Sequence, residues 1–417
     1  MSISPADRTI IRSLAGEVAE IAALPCHRAT ADLWRRLNDR DPVRPMVWIN
    51  ELPWHELNVD DELTLRCEDG FCRGVESRLR GILYQWRHLP ADMVVDTWYP
   101  NPLVIRDSGF GIAQHGRVIG QEAGSVLSQE FDKQIHTLAD VAKIRDPELS
   151  LDTEATARNH AALDSLLGDL LPVRDVGVVH VWFAPWDELI RWYGVEPAML
   201  DLAINPELVH ACMDRLVSAY LSRLRQWRDL GVLDQTAGNY RVGSGGLGYA
   251  SSLPQQEGPR QRVGTPDQWG CATAQIFSEV SPAMHEAFAL QYERRWLNEF
   301  GLTYYGCCEP LHLKLGMLQS IPNLRKISMS PKADMAAAVE QVGDRYVLSH
   351  KPNPAVFAWD HWALGLARRL LTEELAKAKG CAVEIIMKDV STVRHEPQRV
   401  WEWARMAREV AEEHGGR

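Results

Sequence analysis

The chain has 417 residues, of which 46% are hydrophobic and 24% are charged. These fractions are close to ordinary globular usage and exclude collagen-like, disordered and disulfide-scaffold proteins. The 45 lysines and arginines stand against 56 aspartates and glutamates, so the formal net charge is −11. This sign is wrong for a protein that holds a phosphate backbone, and we expect no nucleic acid partner.

Apolar segments are short along the whole sequence. The best uncharged stretch covers residues 176–186 and contains His180 and Pro185, whereas a membrane helix needs roughly 18 apolar residues. Charges near the N-terminus leave no signal-peptide core. A bridge between the adjacent Cys307 and Cys308 would be strained, so we expect reduced thiols. These features predict a cytoplasmic protein without a membrane partner.

Short apolar runs alternate with segments of helical period. The predicted strands are residues 45–49, 93–98, 176–183, 232–236, 302–307, 326–330, 346–349 and 382–388. The predicted helices are residues 8–37, 186–203, 206–230, 281–300, 312–321, 333–342, 359–379 and 397–414. Successive strand–helix units indicate parallel strands, and eight of them predict a TIM (β/α)8 barrel.

The predicted organisation is a helical N-terminal extension over residues 1–43 and one barrel over residues 44–417. Inserted loops are expected, among them a hairpin at residues 110–119. Residues 241–248 contain a GxGxxG pattern, but loop residues follow it instead of the helix that a dinucleotide site requires. We interpret this segment, up to about residue 263, as a mobile lid or as a plain surface loop.

Active sites of TIM barrels lie at the carboxyl ends of the strands, which makes the strand-end residues the candidates. The catalytic candidates are Asp96, His180, Lys388 and Asp389. The substrate-binding candidates are Asn50, Glu51, Trp98, Trp182, Asn239, Tyr240 and His350. Structural alternatives stay open: a core histidine at His180, a turn cap at Asp96 and an interstrand ion pair at Lys388.

Residues 304–312 (YYGCCEPLH) place two thiols, a carboxylate and an imidazole just after a predicted strand. Such groups are suitable zinc ligands, so Cys307, Cys308 and Glu309 are candidate metal ligands. The alternative is that the cysteines are small buried apolar residues and that His312 faces solvent.

Residues 281–293 (SPAMHEAFALQYE), before the strand at 303–307, resemble a helix and strand end of the uroporphyrinogen decarboxylase-like superfamily. This superfamily includes the decarboxylase and zinc-dependent corrinoid methyltransferases. Residues 176–209 and the last helix, from residue 397, support the resemblance, which covers most of the chain from about residue 44. It implies a TIM barrel, in agreement with the strand count.

The resemblance also implies roles for particular residues. Asp96 is similar in setting to the decarboxylase's catalytic aspartate, and Cys308 matches the zinc-binding cysteine of the methyltransferases. Gly306 stands in the place of the zinc-binding histidine, and Lys388 falls near the third ligand. The decarboxylase's substrate-binding arginines have no counterpart in residues 46–55, which argues against uroporphyrinogen as the substrate.

These observations predict a zinc-dependent methyltransferase that works with a corrinoid protein on a small thiol, hydroxyl or methoxy substrate. One alternative is a metal-independent decarboxylase or lyase, with Asp96 as proton donor and with Lys388 and His180 steering a carboxylate. Another is a barrel that binds a ligand without catalysis. A homodimer is implied by the resemblance alone.

Overall fold

The computed structural model describes residues 3–119, 128–254 and 262–415. Its strands are β1 (Met46–Ile49), β2 (Tyr99–Pro102), β3 (Ile105–Asp107), β4 (Gly116–Ile119), β5 (Ser128–Phe131), β6 (Leu149–Leu151), β7 (Val173–Val176), β8 (Trp269–Ala272), β9 (Leu302–Tyr305), β10 (Leu324–Met329), β11 (Val347–His350) and β12 (Ala382–Met387).

Its helices are α1 (Pro5–Ala22), α2 (Cys26–Asp39), α3 (Gly70–His88), α4 (Thr153–Leu167), α5 (Pro185–Tyr193), α6 (Val195–Ile204), α7 (Pro206–Asp229), α8 (Pro282–His285), α9 (Gln291–Leu297), α10 (Leu315–Leu318), α11 (Met335–Val342), α12 (Leu364–Lys377) and α13 (Gln398–Gly415). A π-helical turn, Glu286–Leu290, joins α8 to α9. Short 3₁₀ turns lie at Trp54–Glu56, Leu138–Lys143, Thr265–Asp267, Gln275–Phe277, Leu311–Leu313 and Pro354–Ala358.

Six strands form one parallel sheet in the order β1-β12-β11-β10-β9-β8. From β8 to β12, neighbouring strands follow one another along the chain with helices between them, as in successive βα units. β1 comes first in the chain and pairs with β12, the last strand, with Val47 opposite Ile385. The protein therefore has an α/β fold built on a parallel sheet.

Five of the eight predicted strands are confirmed as β1, β9, β10, β11 and β12. The predicted strands at 93–98, 176–183 and 232–236 are wrong as continuous strands: the last two meet only in a bridge between Val178 and Leu233. Side chains replace part of the ladder here, because the Gln268 amide donates hydrogen bonds to the carbonyls of Val178 and Asp234 at 2.9 and 2.6 Å. The sequence did not predict β8, α3 or α4.

Smaller sheets flank the main one. β2 pairs with β7 in parallel, β3 pairs with β6 antiparallel, and β4 pairs with β5 antiparallel. The hairpin predicted at 110–119 is therefore displaced, since its first strand is β4 and its second is β5. The residues between these strands, 120–127, lie outside the described residues.

The predicted N-terminal helix at 8–37 is two helices, α1 and α2. Ser4 Oγ caps α1 by accepting a hydrogen bond from the Asp7 amide at 3.0 Å, and Pro5 fits its first turn. Pro25 separates the two helices because proline cannot continue an α-helix. α2 buries Trp34 completely and packs it with Met46 of β1. The division of the chain at residue 44 stays a prediction.

The two sides of the sheet differ because alternate residues of a strand face opposite sides. One side carries apolar residues that pack in the main core: Val47, Ile327, Leu348 and Ile385. The other side carries buried polar residues: Tyr304, Lys326, Ser328 and Glu384. Lys326 and Glu384 form a fully buried ion pair of 2.8 Å on this polar side.

The glycine-rich segment predicted to be a lid is instead packed against the polar side of the sheet. The Gly246 amide donates a hydrogen bond to Glu384 Oε1 at 3.2 Å. A Cβ atom at Gly245 would lie 2.3 Å from Glu384 and 2.7 Å from the ring of Tyr304. Glycine is needed here for close approach of the backbone. Residues 255–261 of the predicted lid are outside the described residues.

Within residues 3–119, 128–254 and 262–415, no helix combines the length and the apolar character needed to cross a membrane.

Candidate functional site

Five titratable side chains meet where β1, β9 and β12 end, and we call them the thiol cluster: Glu51, Cys307, Cys308, Lys388 and Asp389. The Lys388 ammonium lies at the centre of the cluster. Its Nζ atom is 2.5 Å from Asp389 Oδ2, 3.1 Å from Glu51 Oε2 and 3.8 Å from Cys307 Sγ. The lysine side chain is only 5% exposed, so it touches these groups with little water between them.

The backbone at the cluster adopts conformations that L-residues rarely take. Glu51 has φ of +52° and Asp389 has φ of +57°, both in the left-handed region. Gly306, just before the thiols, has φ of +98°. Left-handed residues of this kind are concentrated at functional sites, where the surrounding structure holds them in place. Here they turn two carboxylates toward Lys388.

The two thiols lie within hydrogen-bonding distance of each other. Cys307 Sγ and Cys308 Sγ are 3.5 Å apart. The hydrogen bond with Cys308, followed by the charges of Lys388 and Lys351, lowers the pKa of the Cys307 thiol below its ordinary value. The same hydrogen bond raises the pKa of Cys308. Cys307 is therefore the more acidic thiol of the pair.

Charges on both sides of Lys388 keep it protonated. Burial opposes its charge, but Cys307, Asp389 and Glu51 together raise the pKa of Lys388 above its ordinary value. Glu51 is held by a second cation, since Arg241 Nη1 lies 2.6 Å from Glu51 Oε1. Arg241, Glu51 and Lys388 thus form a chain of alternating charges that ends beside the Cys307 thiol.

A network of buried hydrogen bonds reaches the backbone of Cys307. Ser328 Oγ donates a hydrogen bond to the Cys307 carbonyl at 2.7 Å, and Lys351 Nζ donates to Ser328 Oγ at 2.8 Å. Lys351 also donates to the Tyr304 hydroxyl at 2.8 Å. Burial lowers the pKa of Lys351 to about 8, so this lysine is only partly charged in mildly alkaline solution.

Zinc held by Cys307, Cys308 and Glu309 does not fit the side chains as they are placed. Glu309 is fully buried, and its carboxylate accepts from Thr273 Oγ1 and from the Cys307 amide, both at 2.8 Å. The Lys388 ammonium also lies 3.8 Å from Cys307 Sγ, where it supplies a positive charge beside this sulfur. Across the described part of the chain, no group of three or more His, Cys, Asp or Glu side chains could hold a metal ion. Zinc stays a prediction from the sequence, and no step below uses it.

A second part of the site, which we call the Asp96 chamber, is a cavity of about 200 Å³. Its lining includes Trp48, Arg78, Asp96, Trp98, Asn239 and Arg241. Asn239 Nδ2 donates a hydrogen bond to Asp96 Oδ2 at 2.9 Å, while burial raises the pKa of Asp96. Arg241 lines the chamber and pairs with Glu51, so the chamber adjoins the thiol cluster.

The other candidates from the sequence have mixed placements. Burial raises the pKa of Tyr240, which lies close enough to Asp96 to interact with its charge. Trp182 is 37% exposed. His180 is solvent-accessible although protein surrounds it, and this partial burial lowers its pKa to about 4. A neutral His180 is not a cation that steers a carboxylate near pH 7. At Asn50, both amide atoms are buried without a partner among the described residues.

His350 does not belong to the site. It follows Leu348 by two residues in β11 and therefore faces the same apolar side of the sheet. Burial lowers its pKa to about 4. The next residue, Lys351, faces the polar side and bonds to Ser328 and Tyr304. Neighbouring residues of a strand face opposite sides of the sheet. Position at the end of a strand therefore does not by itself distinguish His350 from Lys351.

The candidates chosen from the sequence did not include Arg241 or Tyr304. Arg241 precedes the glycine-rich segment, and nothing in its local pattern indicates that it pairs with Glu51. Tyr304 lies in β9, where strict alternation of side chains along the strand was the available signal.

A larger cavity, of about 520 Å³, lies at the opposite edge of the sheet. Its lining includes Arg44, Ala382 and His414, which lie at the amino-terminal ends of β1 and β12 and on α13. Ligands of parallel α/β sheets bind at the carboxyl ends of the strands. We therefore place the candidate site at the thiol cluster and the Asp96 chamber.

No protein-family model matches the chain, and no curated protein matches it. Among solved structures, a methyltransferase from Methanosarcina mazei is similar in fold, with a TM-score of 0.51. The similarity covers 91% of this chain and 98% of that chain, at 10% sequence identity. At this identity the similarity concerns the fold alone. The α/β architecture of this protein is thus one that a methyltransferase also has.

Proposed function

We propose that the chain is a methyltransferase that acts on a small thiol, hydroxyl or methoxy substrate together with a corrinoid protein. The observation that carries the proposal is the Cys307 thiol, 3.8 Å from the Lys388 ammonium at the carboxyl ends of parallel strands. These ends are where ligands bind in parallel α/β folds. The fold of the Methanosarcina mazei methyltransferase supports the same class of reaction.

We further propose that the six-stranded sheet is the larger part of a TIM barrel. The pairing of β1 with β12 joins the first strand to the last, as closure of such a barrel requires. On the far side of β1, the Asp92 amide donates to the Val47 carbonyl at 2.9 Å. The segments near Asp92, Val178 and Leu233 would complete the ring with fewer ladder hydrogen bonds.

In this mechanism Cys307 is the general base. Its thiolate takes the proton of the substrate's thiol or hydroxyl group, and an S–H bond forms on Cys307. The electron pair of the broken bond stays on the substrate as an anion. Lys388, which balanced the thiolate, then balances this anion, so the net charge of the site does not change. For a methoxy substrate the proton moves in the reverse direction.

The methyl group would be carried by a corrinoid on a separate protein, which supplies the methyl donor or acceptor. The chain's own contribution is to bind the substrate, to balance the charge of its anion and to take up or return its proton. Cys308 is exposed at the thiol cluster, where a partner would approach.

The proposal is tested with methylcobalamin as the methyl donor and a panel of small thiols and phenols as acceptors, without oxygen. We expect loss of methylcobalamin with the wild type, and at least a roughly hundredfold slower loss with Cys307→Ser, since a general base contributes about 10²–10⁴-fold. Cys381→Ser is the matched control, because Cys381 lies at the opposite edge of the sheet and its thiol donates to the Gly343 carbonyl. Failure of every acceptor, or full activity of Cys307→Ser, would contradict the proposal.

A metal-independent decarboxylase or lyase is the second candidate function. It is favoured by Asp96, whose raised pKa and hydrogen bond from Asn239 suit a carboxyl group that donates a proton. This candidate requires release of carbon dioxide, or elimination, that is lost in Asp96→Asn and kept in Cys307→Ser. A barrel that only binds its ligand would show turnover in neither assay.

A further inference from the structure

Two arginines lie near Asp96, and one of them, Arg78, is in the lining of the Asp96 chamber. Arg78, on α3, and Arg174, on β7, are both close enough to Asp96 to lower its pKa. In the part of the chain that the structure describes, neither guanidinium has a hydrogen bond or an ion pair. Free guanidinium groups beside a buried cavity are typical of a site that receives an anion.

Aromatic rings hold the two guanidinium groups in position. Arg78 lies 5.6 Å from the centre of the Tyr99 ring, and Arg174 lies 5.2 Å from the centre of the Trp98 ring. A cation–π contact of this kind holds a guanidinium beside the ring and leaves its N–H groups free for a ligand. Trp98 and Tyr99 both line the chamber, so each arginine lies beside a residue of its wall.

Two further donors in the chamber have no acceptor. Trp48 Nε1 and Arg241 Nε are buried, and neither finds a hydrogen-bond partner among the described residues. A buried donor without a partner costs free energy, so a ligand acceptor that reaches it is favoured. The chamber thus offers unused N–H groups, and among the described residues Asp96 supplies the only carboxyl group in its lining.

We propose that the chamber binds a small monocarboxylate with a flat, apolar body, of the benzoate class. Its carboxylate would accept from Arg78 and Arg174, and its body would lie against Trp48 and Trp98. The volume of about 200 Å³ is below the roughly 300–1,000 Å³ of clefts for drug-sized ligands, so a tetrapyrrole does not fit. Asp96, in the same chamber, disfavours dianions such as phosphate.

Binding of a carboxylate does not depend on the proposed function. Only the identification of that carboxylate as the substrate of the methyltransferase rests on the proposed function. Arg241 connects the two parts of the site, because it lines the chamber and pairs with Glu51 of the thiol cluster. A substrate whose carboxylate lies in the chamber would therefore extend its thiol, hydroxyl or methoxy group toward Cys307.

The test is calorimetric titration of the full chain with benzoate, with neutral benzamide and with inorganic phosphate, in the absence of any methyl donor. We expect benzoate to bind at least about tenfold more tightly than benzamide or phosphate, as charge-assisted hydrogen bonds to guanidinium predict. Arg78→Met and Arg174→Met should each weaken benzoate binding about tenfold. Arg369→Met, which removes an exposed arginine of α12, is the matched control.

Equal binding of benzoate and benzamide, no binding of benzoate, or unchanged binding by Arg78→Met and Arg174→Met would each overturn the inference. Tighter binding of phosphate would overturn the carboxylate class. Thermal unfolding of each variant shows whether it is folded, and loss of folding is not expected because the replaced side chains bond to no described residue. Binding without methyl transfer would refute the proposed function alone, whereas methyl transfer to a neutral acceptor only would refute this inference alone.

Discussion

Replacing Lys388 with methionine tests the electrostatics of the thiol cluster. The change removes a charge 3.8 Å from Cys307 Sγ and keeps a side chain of similar length. At this distance a unit charge contributes about 4 kcal/mol at an effective dielectric constant of 20 and about 1 kcal/mol in bulk water. Because one pKa unit corresponds to about 1.4 kcal/mol, the pKa of Cys307 should rise by about one to three units.

The lower half of that range is the better expectation, since Glu51 and Asp389 already neutralise part of the Lys388 charge. The assay follows the ultraviolet absorbance of the thiolate as a function of pH, with Cys307→Ser as the blank. Lys379→Met is the control, because Lys379 is exposed at the opposite edge of the sheet. An unchanged or lower thiol pKa in Lys388→Met would refute the assignment of Lys388 as the partner of the thiolate.

Three further predictions concern the buried groups around the site. Glu384→Gln should lower the free energy of unfolding in urea by about 3–5 kcal/mol, because it leaves Lys326 buried without its partner. Adding Lys326→Met to the same chain should recover most of the lost free energy. An equal loss in the double variant would contradict this prediction. Burial raises the pKa of Glu293 to about 8, so the wild type should lose stability as pH rises from about 4.5 through 8. Glu293→Gln should lack this pH-dependent loss. Identical profiles of stability against pH in the two proteins would contradict the prediction. Gly306→Ala should lower the free energy of unfolding by about 1–3 kcal/mol and slow turnover, since φ is +98° and a Cβ would lie 2.5 Å from Leu311 Cδ1. Unchanged unfolding and kinetics would show that this turn is unstrained.

Much of the parallel sheet could be predicted from the sequence because its strands are short apolar runs separated by helical segments. β8 was missed since Trp269-Gly-Cys-Ala is only four residues long and contains a glycine. The strand predicted at 232–236 failed for a different reason. Side chains such as those of Gln268 and Thr236 make hydrogen bonds that a regular ladder would otherwise make.

The thiol cluster could be predicted in part, because Glu51, Lys388 and Asp389 follow strands whose ends meet at one edge. The free arginines of the Asp96 chamber could not. Arg78 comes from a helix and Arg174 from a strand far along the chain, so only tertiary packing brings them together. Glu309 shows the opposite error: its position beside two cysteines suggested a metal ligand, but its carboxylate bonds to Thr273 and to the Cys307 amide.

The most direct test of the account is the rate of methyl transfer by metal-free wild type, measured after chelation and beside the same protein with added zinc. If the Lys388 ammonium balances the substrate anion, kcat/KM should be the same in both samples and should fall at least about tenfold in metal-free Lys388→Met. Activity that is absent from the metal-free wild type and returns with one zinc per chain would contradict the account.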